Sequence, residues 1–299
     1  MSPTTPYCGR FAPSPTGALH FGSLVAAVAC YLDARSNKGK WLVRMEDIDR
    51  PREVSGAADD ILHTLESFGF EWDDPVLYQS RRTEAYQAAL EQLQQQGDIY
   101  PCACSRKEIA EQGQPGTEGI IYPGTCRTGI NSEREPRSIR VLTHNRPIRF
   151  KDRIQGEMQQ SIADEVGDFV IRRADGLFAY QLAVVVDDAW QGVTHIVRGA
   201  DLILSTPRQL HLQALLGCST PSYAHIPLAV DEMGNKLSKQ IQSLPVDRKA
   251  PLPALFAALR FLHQPLPEEP FSTLNELWAW AIKNWDIQRM PQHQTQLFS

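Results

Sequence analysis

Gly9-Arg10-Phe11-Ala12-Pro13-Ser14-Pro15-Thr16-Gly17-Ala18-Leu19-His20-Phe21-Gly22-Ser23 constrains this chain more than any other stretch. A short apolar strand ends in a turn rich in proline and glycine, and the turn opens directly into a helix. A helix start presents free backbone N–H groups and the positive end of the helix dipole, an arrangement suited to phosphate. Far downstream, Lys236-Leu237-Ser238-Lys239-Gln240 forms a loop with two lysines three residues apart. Such a loop could neutralise a polyphosphate from the opposite side. Each piece alone says little, but together and in this order they describe a nucleotide cleft.

The elements around this pair have a consistent rhythm. The spacing predicts strands over 7–11 and 40–47 and helices over 19–37, 55–68 and 83–96, with Gly69 and Gly97 as stops. Strands alternating with helices imply an α/β fold with a doubly wound parallel sheet, which binds ligands at the carboxyl ends of its strands. Arg10 and Glu46 fall near such ends.

From Pro101 the rhythm breaks. Residues 101–136 are rich in Gly, Pro, Thr and Cys with no regular element expected, and two strands are expected after them, over 138–143 and 147–150. The sheet pattern resumes over 168–171. An apolar run over 177–188 ends in Asp187-Asp188 and reads as an element entering a polar cleft. Further strands are expected over 193–198 and 225–230, with a helix over 206–216 between them. After Pro245 only helices are expected. The chain therefore divides into 1–100, an insertion over 101–165, a second half over 166–245 that carries the lysine loop, and a small helical unit over 246–299. No internal repeat stands out.

Charge and cysteine content narrow the function classes. The formal net charge of −5 argues against a nonspecific nucleic-acid coat but leaves room for a basic face. Arginine is dense over 132–153, at Arg134, Arg137, Arg140, Arg146, Arg149 and Arg153, where a solvated strand face and a nucleic-acid contact are both open readings. No apolar run is long enough to span a membrane, and the N-terminus lacks the marks of a secretory signal, so the expected location is the cytoplasm. Cys8, Cys30 and Cys218 stand alone in apolar contexts that suit core packing. Cys102, Cys104 and Cys126 cluster, with Tyr122 between them. Three thiolates and a phenol point to a metal, and a closed tetrahedral set is the form of structural zinc, although tyrosine is an uncommon ligand.

Four ordered blocks carry a resemblance: Gly9–Gly22, Val43–Asp49, Tyr180–Leu202 and Lys236–Gln240. Over nearly its whole length the chain resembles the catalytic core of the class I glutamyl-tRNA synthetases. Such a core has a Rossmann-like sheet, and the resemblance implies that the insertion is of the acceptor-binding type. It also implies that His20 and Lys239 are catalytic and that His20, Gly22, Lys236 and Lys239 hold ATP with its magnesium. Glutamate would lie on Arg10, Phe11, Ala12, Pro13, Ser14, Glu46, Tyr180 and Arg198. Here the family's His-Ile-Gly-His reads His20-Phe21-Gly22-Ser23, without the second histidine.

Full-length members continue well beyond the lysine loop into an anticodon-binding domain, whereas only residues 241–299 follow here. The short core with Cys102, Cys104, Tyr122 and Cys126 is similar to the glutamyl-queuosine branch of the family. That branch implies one structural zinc per chain and activation of L-glutamate without tRNA. It also implies transfer to queuosine in the anticodon stem-loop of tRNA(Asp), by a monomer. The rival expectations are a short synthetase that charges a tRNA 3′ end, a noncatalytic nucleotide- or tRNA-binding paralogue, and a small-molecule adenylyltransferase.

Overall fold

The structure is a computed structural model, and it describes residues 6–230, 245–269 and 271–297. The elements follow in chain order as β1 (Cys8–Phe11), α1 (Phe21–Ser36), β2 (Lys40–Met45), α2 (Ala57–Ser67), β3 (Leu77–Tyr78), α3 (Thr83–Gln96) and β4 (Ile99–Cys102). Then come α4 (Arg106–Gln112), β5 (Pro115–Gly116), β6 (Gly119–Ile120), β7 (Ser138–Val141), β8 (Ile148–Asp152), β9 (Gly156–Gln160), α5 (Ile162–Glu165) and β10 (Val170–Arg172). The rest is α6 (Tyr180–Trp190), β11 (His195–Gly199), α7 (Thr206–Leu216), β12 (Ser222–Ile226), β13 (Leu228–Val230), α8 (Pro251–Phe261), α9 (Leu274–Asn284) and β14 (Thr295–Leu297).

The expected parallel sheet is present. β1 pairs with β2, β2 with β3 and β11 with β12, all parallel. β11 follows Thr194, whose N–H donates to the Cys8 carbonyl at 2.9 Å and so fastens the start of β11 beside β1. The chain thus winds from β1 outward to β2 and β3, then returns to the other side of β1. The crevice at such a reversal, at the carboxyl ends of β1 and β11, is where a doubly wound sheet takes its ligands. β1 is buried along its whole length and β2 from Trp41 to Met45, with the charged Arg10 and Arg44 included.

α1 is buried on most of its circumference, with Leu24, Val28, Leu32 and Ala27 fully enclosed. Burying each such leucine or valine contributes about 1.5–3 kcal/mol. Leu255 and Leu259 of α8 and Leu277 and Trp278 of α9 enter the same core as α1, Trp41 and Phe70. A second core gathers Tyr86, Leu90 and Leu93 of α3 with Leu182, Val184 and Val185 of α6 and Leu212 of α7.

Three expectations need correction. The strand predicted over 168–171 is β10, and it does not resume the parallel sheet: it pairs antiparallel with β7, which also pairs antiparallel with β4. An apolar strand pattern states that a strand is buried, not which neighbour it joins. Residues 101–136 are not free of regular structure, since α4 lies there with a capping box between Ser105 and Glu108. After Pro245 the chain is not helical throughout, because β14 pairs parallel with β13. Its three residues are too few to show a period, and their main-chain partners lie far back in sequence. The strand expected over 147–150 is β8, and its antiparallel hairpin partner β9 was not foreseen.

Candidate active site

A cleft of about 670 Å³ opens at the crevice between β1 and β11. Arg10, Phe11, Ala12, Pro13, Ser14, His20, Gly22, Glu46, Tyr180 and Arg198 all line it. Residues drawn from three separate sequence blocks are thereby brought to one cleft. Lys236 and Lys239 lie outside the described residues.

His20 is the N-cap of α1. Its Nδ1 accepts from the Ser23 N–H at 3.4 Å, which leaves the ring proton on Nε2, 3.2 Å from Ser23 Oγ. Burial lowers its pKa, so the ring is a neutral donor at the helix start. Ser23, in the place of the family's second histidine, thus contacts the first. A Cβ at Gly22 would meet only the His20 ring, at an ordinary 3.5 Å. Protein packing therefore does not demand glycine here, whereas close approach of a ligand to the helix start would.

The floor of the cleft is a buried charge network. Asp188 Oδ1 accepts from Arg10 Nε at 3.1 Å and from Arg44 at 2.8 Å, and all three side chains are almost fully enclosed. Burial alone would raise the Asp188 carboxyl, but Arg10 and Arg44 hold it below the usual range. Arg44 also reaches Gln191 Oε1 at 2.8 Å and Glu46 Oε1 at 3.4 Å. Glu46 is pushed up by burial against the pull of Arg44 and Arg10. Arg10 and Glu46 are therefore paired within the network, but not with each other. Asp187 faces the other way and binds Gln79, Arg82 and Tyr86.

On the opposite wall Arg198 is buried on β11. Its Nε donates to His225 Nε2 at 3.0 Å, and one terminal nitrogen donates to Thr206 Oγ1 at 2.8 Å and to the Leu202 carbonyl at 3.3 Å. The other terminal nitrogen is buried without a protein partner. A buried guanidinium donor left unpaired is costly unless a ligand satisfies it. Tyr180 opens α6 beside it, its phenol kept protonated chiefly by burial.

Sequence reasoning missed Asp188 and Arg44 as partners of the cleft residues, and missed His225, Asp152 and Thr206 altogether. The Asp187-Asp188 pair after an apolar run was a usable signal for a buried anion. A single histidine in an apolar strand carries none.

The cysteine cluster assembles as its spacing suggests. The sulfurs of Cys102, Cys104 and Cys126 lie within 4.8 Å of one another, and Cys104 and Cys126 are 3.6 Å apart. Ligands about 2.3 Å from a tetrahedral zinc would be about 3.8 Å apart. The Tyr122 hydroxyl is 3.4 Å from Cys102 Sγ and 3.6 Å from Cys104 Sγ, and it accepts from the Cys126 N–H at 2.9 Å. Arg140 donates to Cys102 Sγ at 3.3 Å and stacks 3.8 Å over the Tyr122 ring. Burial alone would raise the Cys102 thiol, but hydrogen bonds from Tyr122 and Arg140 bring it down to about 7. The donor set thus fits a thiophilic cation.

Two of the dense arginines fit neither reading. Arg140 and Arg153 turn inward, Arg153 onto Asp33. Arg134, Arg137, Arg146 and Arg149 are exposed, Arg134 bound to Glu108 and Arg149 to Gln159. Among the described residues no helix is long and apolar enough to cross a membrane.

The catalytic-domain family of class I tRNA synthetases (E and Q) matches residues 8–251, which contain the parallel sheet and the cleft described above. The glutamyl-Q tRNA(Asp) synthetase of Dechloromonas aromatica is 57% identical over 96% of this chain and 97% of its own length. Those of Chromobacterium violaceum and Pseudomonas aeruginosa are each 54% identical over 97% of both chains. The chain belongs to the glutamyl-Q tRNA(Asp) synthetases within that class. The glutamate-tRNA synthetase of Elizabethkingia anophelis has the same fold, with a TM-score of 0.82 at 23% identity over 99% of this chain and 68% of that one.

Proposed function

We propose that this protein activates L-glutamate with ATP, without tRNA, and transfers it to queuosine at the wobble position of tRNA(Asp). The observation that carries this reading is the cleft itself. It sets an unpaired guanidinium nitrogen of Arg198, the edge of Arg10 not held by Asp188 and a buried Glu46 opposite a helix start.

Glutamate offers two carboxylates and one ammonium group. Guanidinium donors suit the first and a buried anion the second. Arg10 and Arg198 would take carboxylate oxygens, Glu46 the ammonium, and Ser14 and the Phe11–Pro13 backbone would supply further contacts. Tyr180 would close the pocket. The α-carboxylate would then attack the ATP α-phosphorus while the bond to pyrophosphate breaks. Most of that catalysis is positioning and charge neutralisation. His20 and Gly22 would hold phosphates at the start of α1, with Lys236, Lys239 and magnesium balancing the leaving pyrophosphate. In the second step a hydroxyl of the queuosine cyclopentenediol would attack the activated carbonyl, forming the ester and releasing AMP.

One zinc would be held by Cys102, Cys104, Tyr122 and Cys126, and its contribution would be structural. The anticodon stem-loop would reach the cleft with its wobble base splayed out.

The test uses labelled glutamate, ATP and tRNA(Asp) with or without queuosine, followed by nuclease digestion. Label on the anticodon fragment of the queuosine-containing tRNA alone is the expected result. Label on the 3′ end would replace this reading with ordinary aminoacylation.

A further inference from the structure

The proposed glutamate site leaves His225 and Asp152 without a role, although both are wholly buried and directly behind Arg198. His225 sits on β12, beside Arg198 in the β11–β12 register. For its Nε2 to accept from Arg198 Nε at 3.0 Å, the ring must be neutral with its proton on Nδ1. Asp152 Oδ2 lies 2.6 Å from Nδ1 and selects that tautomer. The other carboxylate oxygen accepts the N–H groups of Ile154 and Gln155 at 2.9 Å and of His225 at 3.1 Å. The carboxylate therefore has no freedom to turn away. Thr206 Oγ1, 3.2 Å from Nε2, holds the terminal nitrogen of the same guanidinium. Asp152 belongs to β8, so the chain of contacts runs from the insertion hairpin through the sheet to the cleft wall.

We propose that His225, locked in its Nδ1-protonated form by Asp152, is a positioning residue that aims the Arg198 guanidinium at the substrate carboxylate. Affinity for glutamate and rejection of glutamine both depend on this aim. The proposal rests on the reading that Arg198 binds glutamate. With Nε and one terminal nitrogen held from behind, the remaining terminal nitrogen is the donor left for a ligand, and its direction is fixed. A protonated or reversed imidazole would set two N–H groups face to face and release that restraint.

The test is glutamate-dependent ATP–pyrophosphate exchange by the full chain and four variants: Arg198→Ala, Asp152→Asn, His225→Phe and His225→Gln. Asp152→Asn permits the reversed tautomer, and His225→Phe keeps ring volume without the acceptor. Both should raise the glutamate KM about tenfold or more and narrow the preference over glutamine, with the ATP KM unchanged. His225→Gln, which keeps an acceptor, should recover part of the loss. If Arg198→Ala leaves the glutamate KM unaltered, the site assignment falls and this proposal with it. If Arg198→Ala raises it while Asp152→Asn does not, only the positioning role is overturned. Equal rises in the glutamate and ATP KM values would mark a merely structural role and also overturn it. Should His225→Phe fail to fold, Asp152→Asn decides by the same criteria.

Discussion

Two arginines meet at one carboxylate beneath the cleft, and removing Arg10 or the carboxylate should have different signatures. Arg10→Ala leaves Asp188 paired with Arg44 at 2.8 Å, so the fold should survive. The lost charge-assisted contact to substrate should cost on the order of 2–5 kcal/mol. It would appear as a raised glutamate KM with little change for ATP in pyrophosphate exchange. Asp188→Ala instead removes the ion-pair partner of buried Arg10 and one of those of buried Arg44, which keeps Gln191 and Glu46, and it should destabilise the protein by about 3–5 kcal/mol. Chemical denaturation would show that loss before any assay does.

His225 makes a prediction in pH. Burial is the main reason its pKa lies at about 4; Arg198 lowers it further, while Asp152 opposes the shift. The other groups facing it are Asp201 and Tyr223, whose ring stacks on the imidazole. An unfolded histidine takes its proton near about 6.5, so between that value and about 4 the unfolded state binds more protons. The stabilisation is full above about pH 6.5 and is lost as pH falls through this window. Thermal melts should record a falling Tm over that range.

At the scale of elements, the region around the cysteine cluster has a small core of its own. Tyr100, Cys102, Tyr122 and Cys126 are its buried members, with a few half-buried neighbours. An ion pair helps it: Arg127 clasps Asp168, which also accepts hydrogen bonds from Tyr100 and Thr143. With so little apolar burial, a bound metal would supply much of the local folding energy. Freshly purified, reduced protein should hold one zinc by elemental analysis. Chelation should raise hydrogen exchange over 101–136 well before it does so in α1 or β2. Protein without zinc, its three thiols reacting at once, would remove the metal from the account.

At the scale of the whole molecule, the proposed acceptor makes a salt-dependent prediction. If the anticodon stem-loop is the part of the tRNA that enters the cleft, the isolated stem-loop carrying queuosine should be glutamylated almost as well as intact tRNA(Asp). Affinity should fall as salt rises, in proportion to the phosphates contacted. The exposed Arg137 and Arg146 are the first positions to replace with alanine, each expected to flatten the salt slope without altering pyrophosphate exchange. A stem-loop with no activity beside a fully active tRNA would place the recognition elsewhere.

β1, β2 and β11 and the helices between them were legible because each carries its own local signal, whereas the two-residue β3 carries none. α3 and α7 run over the predicted residues, their ends marked by Gly97 and Gly217 in left-handed conformation. The ten described cleft residues were legible as a set because three motifs kept their order along the chain, and the fold brings all ten to one cavity. What the sequence alone could not state is which buried group answers which. Arg10 could have paired with Glu46, but it pairs with Asp188 of α6. β10 could have continued the sheet, but it joins β7. His225 had no motif to announce it, yet it stands between Asp152 and Arg198. Helix periods, caps and turns arise from neighbours a few residues apart, so the sequence by itself determined them. Pairings across 144 or 178 positions, such as those of Arg44 and Arg10 with Asp188, depend on how layers stack once water is excluded, and only the tertiary structure decided those.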